Sequence, residues 1–228
     1  MSDQNWRPFS GNTLKLIAAA ALVIDHAGLM FFPENDLLRI LGRLAFPIFA
    51  FMIAEGSKYT RSKARYFGQL FSLALVCQIV YFLVDGSLYL SVLFTFSLSL
   101  LMIFSLQACK EKPSAFRIGV FALSVISVWV LNQVFTIDYG FWGCMVPLFA
   151  ALPHHTKYDQ PVIHVACLGL GLLILAGSLG GWQIWSLAAL PLLLLYSGKR
   201  GTWKMKYFFY IFYPAHLALL QVLAWILM

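Results

Sequence analysis

From Leu88 to Ala108 the chain runs for about twenty residues without a single charge, enough to cross the ~30 Å hydrocarbon core of a bilayer as one helix. A chain of 228 residues builds one soluble core, and that core has no room for several such stretches. Only 11% of the residues are charged and 61% are apolar, whereas a soluble domain carries roughly a quarter charged residues. The chain therefore reads as an integral membrane protein, and a water-soluble enzyme is excluded. Its first apolar segment follows a polar leader and ends without a small-residue cleavage site, so it reads as a retained membrane helix and not a signal peptide.

Apolar runs set against turn signals predict helices near 13–32, 36–57, 66–84, 88–108, 115–135, 139–153, 162–178, 181–196 and 206–227. The expectation is an all-α, polytopic bundle of about nine spans, one domain over residues 1–228, with no internal repeat and no soluble domain. The weakest span, Tyr139–Pro153, covers only about 22 Å at helical rise and is a candidate for a re-entrant segment. Charge placement favours keeping it. Arg7 and Lys15, then Lys58, Arg61, Lys63 and Arg65, then Lys110, Lys112 and Arg117, then Lys157, then Lys199, Arg200, Lys204 and Lys206 occupy alternate connections, fourteen of the sixteen basic residues. The intervening loops hold acids or no charge. The positive-inside rule then puts the N-terminus in the cytoplasm and the C-terminus outside. It also accounts for the formal charge of +7 without a nucleic-acid partner. Cys77, Cys109, Cys144 and Cys167 are 32, 35 and 23 residues apart, with no second cysteine or histidine at zinc-ligand spacing, so neither a metal nor a disulfide framework is expected.

The two remaining basic residues, Arg39 and Arg43, sit four apart on one face of the second span. Counted from Asp36, Arg43 is ~10 Å deep, and counted from Phe32, so are Asp25 and His26 of the first span. The short loop makes the two helices antiparallel neighbours, which predicts an Asp25–Arg43 contact, since an isolated ion at that depth costs a few kcal/mol or more. A purely structural pair, an Arg39 that snorkels outward and a merely hydrogen-bonded His26 are the plain alternatives. His216, in Tyr213-Pro214-Ala215-His216, lies ~15 Å into the last span and near the midplane. Two midplane imidazoles suggest proton transfer; a packing role is the alternative for His216. Glu55 reads as an interface residue, His154 and His155 as a solvated loop, and His164 as uninformative. Thr95 with Ser99, and Asn132 with Gln133, read as interhelical glue.

The motifs Leu14-Lys15-Leu16-Ile17, Ile24-Asp25-His26, Leu38-Arg39-Ile40-Leu41-Gly42-Arg43-Leu44-Ala45-Phe46-Pro47, Glu55-Gly56, Asp138-Tyr139-Gly140, Tyr196-Ser197-Gly198-Lys199-Arg200-Gly201 and Tyr213-Pro214-Ala215-His216 together closely resemble the TraX family, over nearly the whole chain. Ser197 stands where that family's pattern has Asn. That family's named member acetylates the N-terminal residue of a conjugative pilin, and the resemblance implies an inner-membrane acyltransferase related to the wider transmembrane acyltransferase superfamily. It implies acetyl-CoA as cytoplasmic donor, no metal, and an amine or hydroxyl acceptor outside, a pilin-like N-terminus or another envelope molecule. Carried onto this chain, His26 is the candidate base, with Asp25 and His216 beside it, and Arg43 or Arg39 stabilises an oxyanion or holds an anionic group. Arg39, Lys58, Arg61, Lys199 and Arg200 are the candidates for binding acyl-CoA, although topology alone already explains the basic loops. The rival reading is a proton-coupled transporter or flippase using the same Asp25, His26, Arg43 and His216; the inverted repeats that would favour it are not visible.

Overall fold

The computed structural model describes residues 7–203 and 205–227. It is built of helices: α1 Gly11–Phe31, α2 Asp36–Gly42, α3 Ala45–Tyr59, α4 Lys63–Asp85, α5 Val92–Glu111, α6 Ala115–Val134, α7 Gly140–Ala151, α8 Pro161–Leu179, a 3-10 helix Gly181–Ala188, α9 Ala189–Leu194 and α10 Lys206–Leu227. Among the described residues the only β-type pairings are two isolated bridges, Phe9 with Tyr196 and Leu90 with Ile137. Among the described residues six segments are long and apolar enough to cross a membrane, counting α2 and α3 together as Asp36–Tyr59, and three apolar segments are shorter: Gly140–Ala151, Gly181–Leu194 and Ile211–Leu227. α6 shows why the chain belongs in lipid. Val128 is its one buried residue, while Phe116 is 80% and Leu123 63% exposed; water does not tolerate so large an apolar face.

Two segments depart from the single helices expected. The span read over 36–57 breaks at Arg43-Leu44. Pro47 has no N–H for the carbonyl four residues back, and its ring crowds that carbonyl, which belongs to Arg43. Pro47 is the third residue of α3, where the missing donor is harmless. The span read over 181–196 is a 3-10 helix followed by six α-helical residues.

The residues fall into two compact units, one comprising the chain up to Phe49 together with Gly180 onward, the other Ala50–Leu179. In the first unit α1 packs against α2 and α10. Asn35 caps α2, its side chain accepting from the Leu37 N–H, and Ser10 caps α1 through Thr13. The first amides of α1 are satisfied from far along the chain: Gly11 N–H donates to the Lys199 carbonyl at 2.8 Å and Asn12 N–H to that of Arg200 at 3.0 Å. Gly201, at φ +96°, passes so close that a Cβ there would lie 2.9 Å from Ser10 Oγ.

In the second unit α5 is the core, with Leu100, Met102 and Ile103 inaccessible. Thr95 and Ser99 act as the interhelical hydrogen-bonders expected of them: their hydroxyls donate to the carbonyls of Asp138 and Cys144, each at 2.7 Å. α7 packs on α8, where Gly171 admits the Phe149 ring beside a row of buried Leu168, Leu172 and Leu175.

Candidate active site

The first unit assembles the intramembrane ions. α1 presents Asp25 toward α2, where Arg43 Nη2 lies 2.7 Å and Arg39 Nη1 3.1 Å from the same carboxylate oxygen, Oδ1. Arg39 Nη1 also donates to the Asp25 backbone carbonyl at 3.1 Å. The Asp25–Arg43 contact expected from helical rise is present; Arg39 joins it instead of snorkelling outward. Gly42 makes the approach feasible, because a Cβ at that position would overlap the Asp25 side chain. Gly28 does the same for Leu38, whose Cβ would meet an added Cβ at 2.8 Å. Two guanidiniums against one carboxylate leave an excess of one positive charge. The break after Gly42 leaves Arg43 as the residue that ends α2. The 3-10 helix adds a group not singled out from the sequence: Gln183 Oε1 accepts from Arg43 Nη1 at 3.4 Å.

One residue along α1 and ~100° around it, His26 turns toward α10. Its ring meets that of His216 edge-on, centroids 5.3 Å apart, and His216 is stacked on Phe212 at 4.9 Å. Both imidazoles are tied in the same way. His26 Nδ1 lies 2.9 Å from the Leu22 carbonyl and His216 Nδ1 3.0 Å from that of Phe212. A carbonyl only accepts, so Nδ1 carries the proton in each ring, and in the neutral tautomer Nε2 keeps a lone pair. His216 Nε2 is buried with no partner among the described residues. That is the arrangement of a nitrogen able to take a proton.

The candidate acyl-CoA residues are dispersed. Arg39 is in the ion cluster. Lys199 and Arg200 are exposed at the opposite end of α1 from Asp25, fourteen residues of helical rise away, about 21 Å. Lys204 lies outside the described residues, as does the Lys206 side chain. Lys58 and Arg61 belong to the second unit, Arg61 exposed and Lys58 committed to an ion pair with Asp159 at 2.6 Å.

That ion pair belongs to a cluster in which the solvated loop expected at His154 and His155 is corrected. His154 is 1% exposed, its ring 4.8 Å from that of His164; only His155 is open to solvent. His164, uninformative in sequence, bridges the Ala150 carbonyl and Asp159 Oδ1, each at 2.8 Å. Burial raises the Asp159 carboxyl, but hydrogen bonds from Lys58, His164 and the His155 N–H outweigh this and hold it below its usual range. His154 is pushed down to about 3, first by burial and then by its neighbours His164 and Lys58. The loop folds inward because Asp159 anchors it, and the four residues between His154 and Asp159 gave no sequence sign of that.

Apolar helices with lipid-facing surfaces, enclosing an Asp–Arg–Arg cluster and a histidine pair, define a multi-pass membrane protein with polar chemistry inside its helices. The chain belongs to the TraX family, whose profile, described as TraX protein, matches residues 10–224. A probable fimbrial assembly protein FimC, serogroup H1, of Dichelobacter nodosus is 30% identical over 249 aligned positions, covering 93% of this chain and 94% of that one. Protein TraX of Escherichia coli is 24% identical, covering 96% and 89% respectively. No solved structure matches the chain.

Proposed function

We propose that the protein is an acyltransferase of the bacterial inner membrane that moves an acetyl group from cytoplasmic acetyl-CoA to an amine or hydroxyl at the outer side. The observation that carries the reading is the His26–His216 pair, each ring with Nδ1 committed as donor and Nε2 left to accept. Family membership adds to it. The resemblance to the TraX family implies pilin acetylation, and the Dichelobacter nodosus relative is named for fimbrial assembly, so a pilin-like N-terminal amine is the first acceptor to test, ahead of other envelope amines and hydroxyls.

In this reading His26 Nε2 takes the proton from the acceptor as its nitrogen or oxygen bonds to the thioester carbon. The carbonyl π pair moves onto oxygen, beside the excess positive charge of the Arg39–Arg43 pair. Collapse restores the carbonyl, breaks the C–S bond and returns the proton to the CoA sulfur. Asp25 acts through the arginines and not on His26, since its carboxylate is engaged by both guanidiniums. Lys199 and Arg200 are the candidates for the CoA phosphates, and the ~21 Å along α1 is a length for the extended pantetheine arm to span. The topology that fits has nine crossings, N-terminus inside and C-terminus outside, from the partition of basic residues.

The test is purified protein in vesicles, given radiolabelled acetyl-CoA with pilin-type peptides, amino sugars and lipid acceptors. Label transferred to an acceptor is the expected result. A folded protein that neither transfers label nor releases free CoA would end the acyltransferase reading.

A further inference from the structure

The 3-10 helix Gly181–Ala188 has three residues per turn, so residues three apart lie on one face. Trp182 and Trp185 form its outward face, 43% and 46% exposed, while Gln183 and Ser186 form a buried one, 4% and 0% exposed. In a membrane segment the outward tryptophans need no explanation, but the inward amide and hydroxyl do. Gln183 gives only its oxygen to Arg43; a guanidinium cannot accept, so the amide must face it oxygen first and its NH₂ points elsewhere. That NH₂ and the Ser186 hydroxyl are both buried with no hydrogen-bond partner among the described residues. Unmet donors away from water cost a kilocalorie or more each, and leucine or alanine would avoid that cost. Both lie on the helix that reaches Arg43, where one positive charge is in excess. Two neutral donors beside a net cation suit an oxygen that gains negative charge and would not suit a cationic ligand.

We propose that Gln183 and Ser186 hold the carbonyl oxygen of the transferred acyl group, together with Arg43; the proposal rests on the acyl-transfer reading. As the acceptor bonds to the thioester carbon, the π pair shifts to that oxygen, and the Gln183 NH₂ and Ser186 O–H hydrogen bonds strengthen. The pair returns when the C–S bond breaks and the thiolate leaves with the acceptor's proton.

The probe is acetyl-CoA, with free-thiol release followed in the presence of a pilin-type peptide, a simple amine or water as acceptor. Ser186→Ala removes a hydroxyl with no hydrogen-bond partner among the described residues, so its melting temperature should hold or rise. Its kcat should fall about 10²- to 10³-fold, as for loss of one oxyanion donor, with KM for acetyl-CoA unchanged. Gln183→Glu keeps an oxygen for Arg43, deletes the NH₂ and should show the same split. Wild-type kcat in either variant, or a loss of rate that only tracks a lowered melting temperature, overturns the assignment while leaving the acyltransferase reading intact. A folded wild type that releases no thiol with any acceptor overturns that reading, and this assignment with it.

Discussion

Asp25 and its partner Arg43 are not equivalent to remove, because Asp25 has a second arginine on the same oxygen, and that asymmetry can be measured. Asp25→Asn leaves both guanidiniums without their carboxylate, and breaking a buried pair in this way costs roughly 3–5 kcal/mol. Arg43→Gln is milder, because Arg39 Nη1 stays 3.1 Å from the same oxygen; the loss is nearer one charge-assisted hydrogen bond, about 1.5–3 kcal/mol. The double variant leaves only Arg39 unbalanced, so its cost should fall short of the sum of the singles by about 0.5–3 kcal/mol, the usual range for directly coupled residues. Cys77 and Cys144 are buried free thiols, so a thiol-reactive fluorophore reports unfolding in detergent, over a baseline from the partly accessible Cys109 and Cys167. Equal costs for the two single variants, or a double variant whose cost equals their sum, would refute the shared-carboxylate geometry.

Three further outcomes follow from the same structure. His26→Ala should fold yet lose roughly 10²–10⁴-fold in transfer rate, and His216→Ala measured in parallel decides which ring is the base; near-normal transfer by His26→Ala moves the role to His216. Alkaline phosphatase fused after position 228, which lies outside the described residues, should be active, and fused between Arg61 and Arg65 it should be silent; the reverse pattern sinks the nine-crossing topology. Stability should be level above pH 6.5 and fall as the pH drops from there toward 3, because the unfolded chain protonates His154 near 6.5 while the folded chain resists to about 3. Asp159, held low in the fold, adds to the loss below its ordinary 3.8, and His154→Gln should flatten the upper part of the slope.

Helical rise and a short loop were enough to pair Asp25 with Arg43 and to put His26 and His216 at similar depth, because both inferences need only a 1.5 Å step and an apolar span. The break at Arg43 had its signal in Pro47, whose effect falls four residues upstream and is easily missed within a continuous apolar run. Gln183 and Ser186 were hidden by period: three residues per turn escapes a reading tuned to 3.6. The buried His154–His164–Asp159 cluster was missed for the opposite reason, since Pro153-His154-His155-Thr156-Lys157 has the composition of a surface turn and only a contact made by Asp159 turns it inward.

The carbonyls of Lys199 and Arg200 that close the start of α1 carry a consequence for biosynthesis. Asp25 finds Arg43 only 18 residues away, so the first two helices can leave the insertion machinery as a hairpin with its carboxylate already paired. Arg43 must wait 140 residues for Gln183, and Asn12 waits 191 for the Trp203 carbonyl. The earliest part of the chain to enter the bilayer is therefore among the last to be finished. A nascent protein thus pairs Asp25 with Arg43 early, and a chain terminated before α10 would lack the histidine pair.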